Sequence, residues 1–215
     1  MNVKTVIFDL DGTLLDTLGD LADATNAALR RHGYPTRTDG EIRAFVGNGI
    51  RNLMQRALPS GADDDAISAC LADFRAHYDA HMMCRTAPYP GIPELLAALR
   101  KRGIRMGVLS NKYDPASRAL AAHYFPGLID QTFGERPGVP RKPDPASTRE
   151  LLQTLGAAQE TTLYVGDSGV DMETAQNAGL YAVGVTWGFR GRSVLAEAGA
   201  DALIDHPLEL LALLD

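Results

Sequence analysis

Cysteine is scarce in this chain: Cys70 and Cys84 are its 2 thiols, with no Cys-x-x-Cys spacing between them. At 215 residues the chain can bury a substantial core without covalent staples, so a reducing, cytoplasmic setting is expected. Long apolar runs are missing too. Nothing approaches the roughly 20 residues of a membrane-spanning helix, and no membrane partner is expected. Only Lys4 precedes the first apolar stretch, without a small-residue cleavage site after it, so no signal peptide is expected. Basic charge is the minority sign, 21 Lys and Arg against 27 Asp and Glu for a net charge of −6, which argues against a nucleic-acid partner. A small anionic substrate stays compatible, because a few local cations and a metal outweigh the net field. Two common cofactor patterns are also lacking. Gly47-x-Gly49 follows no strand and has no third glycine, and His77 and His81 lack the Glu of a His-Glu-x-x-His zinc helix, so they read as surface or packing residues.

What is present begins near the amino terminus. Val6, Ile7 and Phe8 are β-branched and aromatic residues in an almost unbroken apolar run, the pattern of a strand buried on both faces. Asp9 and Asp11 follow at its far end, and Gly12 permits a sharp exit into a loop, the place where α/β sheets hold their ligands. Two carboxylates that close repel each other unless a cation sits between them, so a hard divalent ion taking oxygen ligands, Mg2+ above all, is the expected companion. The alternative is a strand-terminal turn that uses Asp and Gly for geometry alone.

From residue 16 the pattern turns helical. Asp16 or Thr17 can cap a segment with Leu18, Leu21, Ala24, Thr25, Ala28 and Leu29 on one stripe, ended by Gly33 and Pro35. A second amphipathic region spans 41–58, broken at Gly47-Asn48-Gly49, and a third spans 63–83 through Ile67, Leu71, Phe74 and Tyr78. Nothing from 16 to 85 reads as a strand. Pro88-Tyr89-Pro90-Gly91 marks a boundary, after which strand and helix alternate. Strands are expected at 104–109, 162–165, 182–185 and 202–204, with a short apolar piece near Ile129 and a loop over 134–143. Helices are expected at 92–102, 115–123, 145–155, 172–178, 194–198 and 207–214. The fold class is therefore α/β: a Rossmann-like, doubly wound parallel sheet formed by 1–15 and 86–215, with a small α-helical cap domain, 16–85, inserted.

Polar residues close three of the strands: Asp9 and Asp11, Ser110 and Asn111, and Asp167 with Asp171. In a parallel sheet those ends share one edge, and the loop residue Lys142 can join them. Carboxylates, a metal, a hydroxyl and a lysine together suit phosphoryl transfer, where catalysis is mostly positioning and charge neutralisation. Taken singly each has a plainer reading: Ser110-Asn111 as a turn, Lys142 as a solvated lysine, Asp171 as the cap of the next helix.

Asp9-Leu-Asp11-Gly12-Thr13, Ser110-Asn111, Lys142-Pro143-Asp144-Pro145 and Gly166-Asp167-Ser168 through Asp171 resemble, in order, the four motifs of the haloacid dehalogenase superfamily. Phe45-Val46-Gly47-Asn48-Gly49 and Val185-Thr186-Trp187-Gly188-Phe189 are similar to its phosphoglycolate phosphatases. The resemblance implies that Asp9 attacks phosphorus, that Asp11 protonates the leaving oxygen and later activates water, and that Ser110, Asn111 and Lys142 bind phosphoryl oxygens. It also implies Mg2+ held by Asp9, the backbone carbonyl of Asp11, and Asp167, with Asp171 supporting the site. Gly49 and Arg51 would select the substrate from the cap, whose closure would exclude water. Trp187 and Arg190 stay open between packing, surface and site roles. The function implied is Mg2+-dependent hydrolysis of a small phosphorylated substrate, 2-phosphoglycolate, by a monomer or homodimer. Alternatives are a broader sugar-phosphate or nucleotide phosphatase, a pyrophosphatase, a phosphomutase, and a phosphate-accepting regulatory protein. A dehalogenase is disfavoured, since Asp11 supplies an acid/base that carbon chemistry does not need.

Overall fold

The computed structural model describes residues 2–214. Strand β1 (Thr5–Phe8) is buried at every position, as a central parallel strand must be. Strand β2 (Leu15–Asp16) leads into helix α1 (Leu18–Arg31), followed by α2 (Asp39–Phe45), α3 (Ile50–Ala57) and α4 (Asp64–His81). Strand β3 (Ala87–Pro88) pairs with β2 as a separate two-stranded sheet. The alternating half then runs α5 (Ile92–Lys101), β4 (Arg105–Tyr113), α6 (Asp114–Tyr124), β5 (Gln131–Glu135), α7 (Ala146–Leu155), β6 (Thr162–Gly166), α8 (Gly169–Ala178), β7 (Tyr181–Val185), α9 (Arg192–Glu197) and β8 (Ala202–Ile204).

The large sheet has the order β5-β4-β1-β6-β7-β8 with parallel pairing throughout. Numbered by chain order within the sheet this is 3-2-1-4-5-6, the doubly wound Rossmann arrangement. The order reverses at β1, and the crevice beyond the carboxyl end of a reversing strand is where such sheets bind ligands. Ile7, Leu109 and Tyr164 from the sheet pack with Leu151, Leu152 and Leu155 of α7 and Met172 and Ala175 of α8 in one buried cluster.

The chain divides into two compact units, Met1–Leu15 with Pro88–Asp215, and Asp16–Ala87. The second boundary thus lies at Ala87 instead of residue 85. In the helical unit, the α1 stripe is buried as patterned, α1 packs on α4, and Phe74 stacks on Tyr78 with ring centroids 5.5 Å apart. Leu71 is only partly covered, and Cys70 takes a fully buried place on that face. Buried Asp20 accepts from Arg85 N, Thr86 N and Thr86 Oγ1, tying the unit's first helix to its last residues. Thr38 and Glu41 form a capping box on α2.

Besides the short strands β2 and β3, which the sequence reading lacks, three elements differ from it. Strand β4 does not stop at 109 but continues to Tyr113, with a shift of register against β5 between Leu109 and Tyr113. Gln131–Glu135 forms an edge strand where only an apolar piece and a loop were expected. The final segment, Pro207–Leu213, is a 3-10 helix, whose three-residue repeat is indistinguishable from an α-helical pattern over so few residues. Among the described residues, no helix is long and apolar enough to cross a membrane.

Candidate active site

Asp9 follows the last residue of β1, and its backbone N–H donates to Val165 O, so the strand's pairing with β6 fixes where its carboxylate starts. Asp167 follows β6 directly, and Asp171 sits in the first turn of α8. One carboxylate oxygen from each of Asp9, Asp167 and Asp171 lies within 4.8 Å of the others. All three residues are buried, as is Lys142 from the loop before α7. Its Nζ is 2.9 Å from Asp9 Oδ1 and 2.8 Å from Asp171 Oδ1.

Three buried carboxylates against one buried ammonium leave an excess of negative charge, and the titration of the group reflects it. Burial first, then Asp171 and Asp11, push the Asp9 carboxyl up to about 7, against the opposite pull of Lys142. Asp167 is raised well above the usual carboxylate range by burial and by Asp171 and Asp9. Burial alone would lower Lys142, but Asp171 and Asp9 outweigh it and hold the ammonium well above its ordinary value. A divalent cation would relieve this imbalance. The donor set fits one, since it is all oxygen, and Asp9 Oδ1 is buried without a well-aligned hydrogen bond.

Asp171 is both helix cap and cluster member. Its Oδ2 accepts from Ser168 N at 3.1 Å and Ser168 Oγ at 2.6 Å, while its Oδ1 takes Lys142 and, at 3.3 Å, the Tyr164 hydroxyl. With both oxygens so committed, it anchors Lys142 beside Asp9. Asp167 is fixed by other means: Phe189 N donates to Oδ2 at 2.7 Å, and Thr13 Oγ1 reaches Oδ1 at 3.5 Å. The loop after β7 also binds the first motif directly, with Trp187 Nε1 donating to Thr13 O at 3.0 Å. Gly188 leaves no room for a side chain: a Cβ there would meet Gly12 O at 2.3 Å and Asp167 Cβ at 2.4 Å. Gly12 itself has φ 84, a backbone conformation that any Cβ would strain. Trp187 is thus a packing residue with a specific bond, and Arg190 donates to Phe189 O.

The register shift in β4 places the second motif. Ser110 is buried, its Oγ accepting from Lys112 N at 3.2 Å. Asn111 clamps the main chain of Lys142, accepting from its N–H at 2.9 Å and donating to its carbonyl at 3.1 Å, so its side chain positions the loop that carries the lysine. Asp11 stands outside the three-carboxylate cluster; Lys112 Nζ is 3.0 and 3.2 Å from its two oxygens. From the sequence alone Lys112 is only a residue at a strand's end. The signal, a lysine inside a buried strand that demands an anionic partner, appears only once β4 is seen to continue past 109 to Tyr113. Gly49 and Arg51 belong to the helical unit. Gly49 precedes α3 with φ 84, and Arg51 pairs with Asp64 at 2.8 Å and reaches Ser68 Oγ at 3.4 Å.

Comparison with known proteins agrees with this geometry. Residues 6–185 match the haloacid dehalogenase-like hydrolase family model. A phosphoglycolate phosphatase of Rhodospirillum rubrum is 40% identical over 94% of this chain and 87% of its own. An N-acetylmuramic acid 6-phosphate phosphatase of Pseudomonas aeruginosa is 32% identical over 100% of this chain and 96% of its own. Among solved structures, a haloacid dehalogenase-like family hydrolase from Streptococcus pneumoniae superposes with a TM-score of 0.89 at 26% identity, covering 100% of this chain and 99% of that one. With the four motifs gathered on the Rossmann-like sheet and the family match spanning them, the chain belongs to the haloacid dehalogenase-like hydrolases, among the phosphatases of that family.

Proposed function

We propose that this protein is a Mg2+-dependent phosphomonoester hydrolase working through an aspartyl-phosphate on Asp9, with 2-phosphoglycolate as its substrate. The observation that carries the reading is the buried meeting of Asp9, Asp167, Asp171 and Lys142 at the carboxyl edge of the sheet. Asp9 and Asp167, with the backbone carbonyl of Asp11, would hold the cation, and Asp171 would support them. When bound, Mg2+ supplies charge neutralisation that lets an anionic nucleophile approach an anionic phosphoryl group.

In the first step an Asp9 oxygen forms a bond to phosphorus while the bond to the leaving alkoxide breaks, and Asp11 gives that oxygen a proton. In the second step Asp11 takes a proton from water as the water oxygen bonds to phosphorus and the Asp9–phosphorus bond breaks, releasing inorganic phosphate. Lys142 is a compact cation beside Asp9, suited to two phosphoryl oxygens, with Ser110 as hydroxyl donor. Asn111 contributes by holding the Lys142 main chain. Gly49 and Arg51, in the helical unit, are the proposed substrate-selecting residues, Arg51 as the cation for a substrate carboxylate.

The substrate assignment rests on the 40% identity to the Rhodospirillum rubrum protein. A larger sugar phosphate is a second reading, favoured by the match to the N-acetylmuramic acid 6-phosphate phosphatase over 100% of this chain and 96% of its own. Phosphate release from 2-phosphoglycolate, sugar phosphates, nucleotides and pyrophosphate, with and without Mg2+, separates the readings. We expect metal-dependent release strongest with 2-phosphoglycolate, and a loss of at least about a thousandfold in Asp9→Asn. Near-native turnover in that variant, or metal-independent activity, defeats the mechanism; preference for a sugar phosphate defeats only the substrate.

A further inference from the structure

We propose that Lys112 is a positioning residue that holds the Asp11 carboxylate in the orientation its proton transfers require, an inference that rests on the acid/base role given to Asp11 above. The Lys112 side chain is 1% exposed and the Asp11 side chain 16%. The lysine therefore lies on the protein side of the carboxylate. Its Nζ is 3.0 and 3.2 Å from the two Asp11 oxygens, so one ammonium spans both. The main chain of Lys112 is fixed as well: its N–H donates to Ser110 Oγ at 3.2 Å, and its carbonyl accepts from Ser117 Oγ at 3.2 Å.

The geometry has a backbone origin. Between Leu109 and Tyr113 strand β4 spends more residues than β5 does between Phe133 and Glu135, and this bulge contains Ser110, Asn111 and Lys112. It turns Lys112 toward the loop that begins at the end of β1. Asp11 sits on that loop next to Gly12 with φ 84, its main chain bridging to Leu15, an arrangement that leaves its side-chain rotamer to be set by other contacts. A long buried stem with a charged head is the lever that sets it. A general acid/base must stand within hydrogen-bond reach of the oxygen it serves, so a carboxylate left to rotate loses rate before it loses binding.

A double-mutant cycle tests this, using kcat and KM for Mg2+-dependent phosphate release from 2-phosphoglycolate and from p-nitrophenyl phosphate by full-length Lys112→Met, Asp11→Asn and the double variant. Lys112→Met is expected to lower kcat by about 10- to 100-fold with KM changed less than about threefold, and in the Asp11→Asn background to change kcat by no more than about twofold. Lys112→Arg, which keeps the charge but misplaces it, is expected to remain impaired. If Lys112→Met leaves Asp11 unpaired and the protein unfolded, the double variant, lacking both charges, is expected to fold and to match Asp11→Asn. Additive losses, a change carried by KM, or native kcat in Lys112→Met would overturn the assignment. If Asp9→Asn were active, or wild-type protein turned over neither ester, the catalytic reading itself would fall; an additive cycle in an otherwise Asp9-dependent enzyme removes only the role of Lys112.

Discussion

At the scale of single residues, the site is a problem of too many acids in too little water. Asp9 is carried from 3.8 to about 7 chiefly by burial. Between those values the folded, metal-free chain holds a proton on Asp9 that the unfolded chain has lost, so the contribution of Asp9 to stability falls as pH rises through the window, and the raised Asp167 acts in the same direction. A divalent cation held there would compete with that proton, so its affinity is expected to rise with pH over the same range. Thermal melts of metal-free protein are expected to show a lower Tm at pH 8 than at pH 5.5. Mg2+ at about a hundredfold above its Kd should raise the Tm at pH 8 by roughly 5–10 °C, and by less at pH 5.5. A metal-induced shift independent of pH would contradict the charge balance described for Asp9, Asp167, Asp171 and Lys142. Asp9, Asp11 and Asp167 were legible in the sequence because each interrupts or closes an apolar run. Lys112 was not, since its burial depends on Asp11, far away in the chain. In the sequence Asp171 reads as either cap or site, and the structure gives each of its oxygens a separate task.

At the scale of elements, what matters is how strand ends and loops are held against one another. The loop after β7 reaches across to the first motif through Trp187, Gly188 and Phe189, and its backbone N–H at Phe189 fixes one oxygen of Asp167. Gly188→Ala would force a methyl group onto the main chain at Gly12 and against Asp167. It is expected to cost about 1–3 kcal/mol in urea unfolding and to weaken Mg2+ binding in a calorimetric titration, while Gly33→Ala, at a turn with open space around it, leaves Mg2+ binding unchanged. Equal metal affinity in Gly188→Ala and wild type would show that this loop does not orient Asp167. Strands β1, β6 and β7 could be read from their apolar runs, because central parallel strands are buried on both faces. The end of β4 and the whole of β5 could not. Ser110-Asn111-Lys112 is polar, and the bulge that accommodates it is set by pairing with β5, while Gln131–Glu135 lies at the sheet edge and needs only half an apolar face.

At the scale of the whole chain, the sheet order accounts for the distances in sequence. Residues 9, 110, 142 and 167 belong to segments that chain order separates widely and that the 3-2-1-4-5-6 arrangement brings to one edge around β1. The fold class and the joint pattern of four motifs were legible in the sequence for that reason, since alternation of strand and helix fixes a parallel sheet and a parallel sheet has one carboxyl edge. The helical unit was legible through its apolar stripes, and its capping and buried Asp20 ties emerged only in three dimensions. That Asp9 takes the phosphoryl group is decided by acid quench of Asp11→Asn protein incubated with Mg2+ and p-nitrophenyl phosphate, whose leaving group needs no proton from Asp11, followed by mass spectrometry of its peptides. One added phosphoryl group is expected on the peptide containing Asp9, absent when Mg2+ is withheld. Phosphate release with no modified peptide, or a phosphoryl group on a different residue, would contradict it.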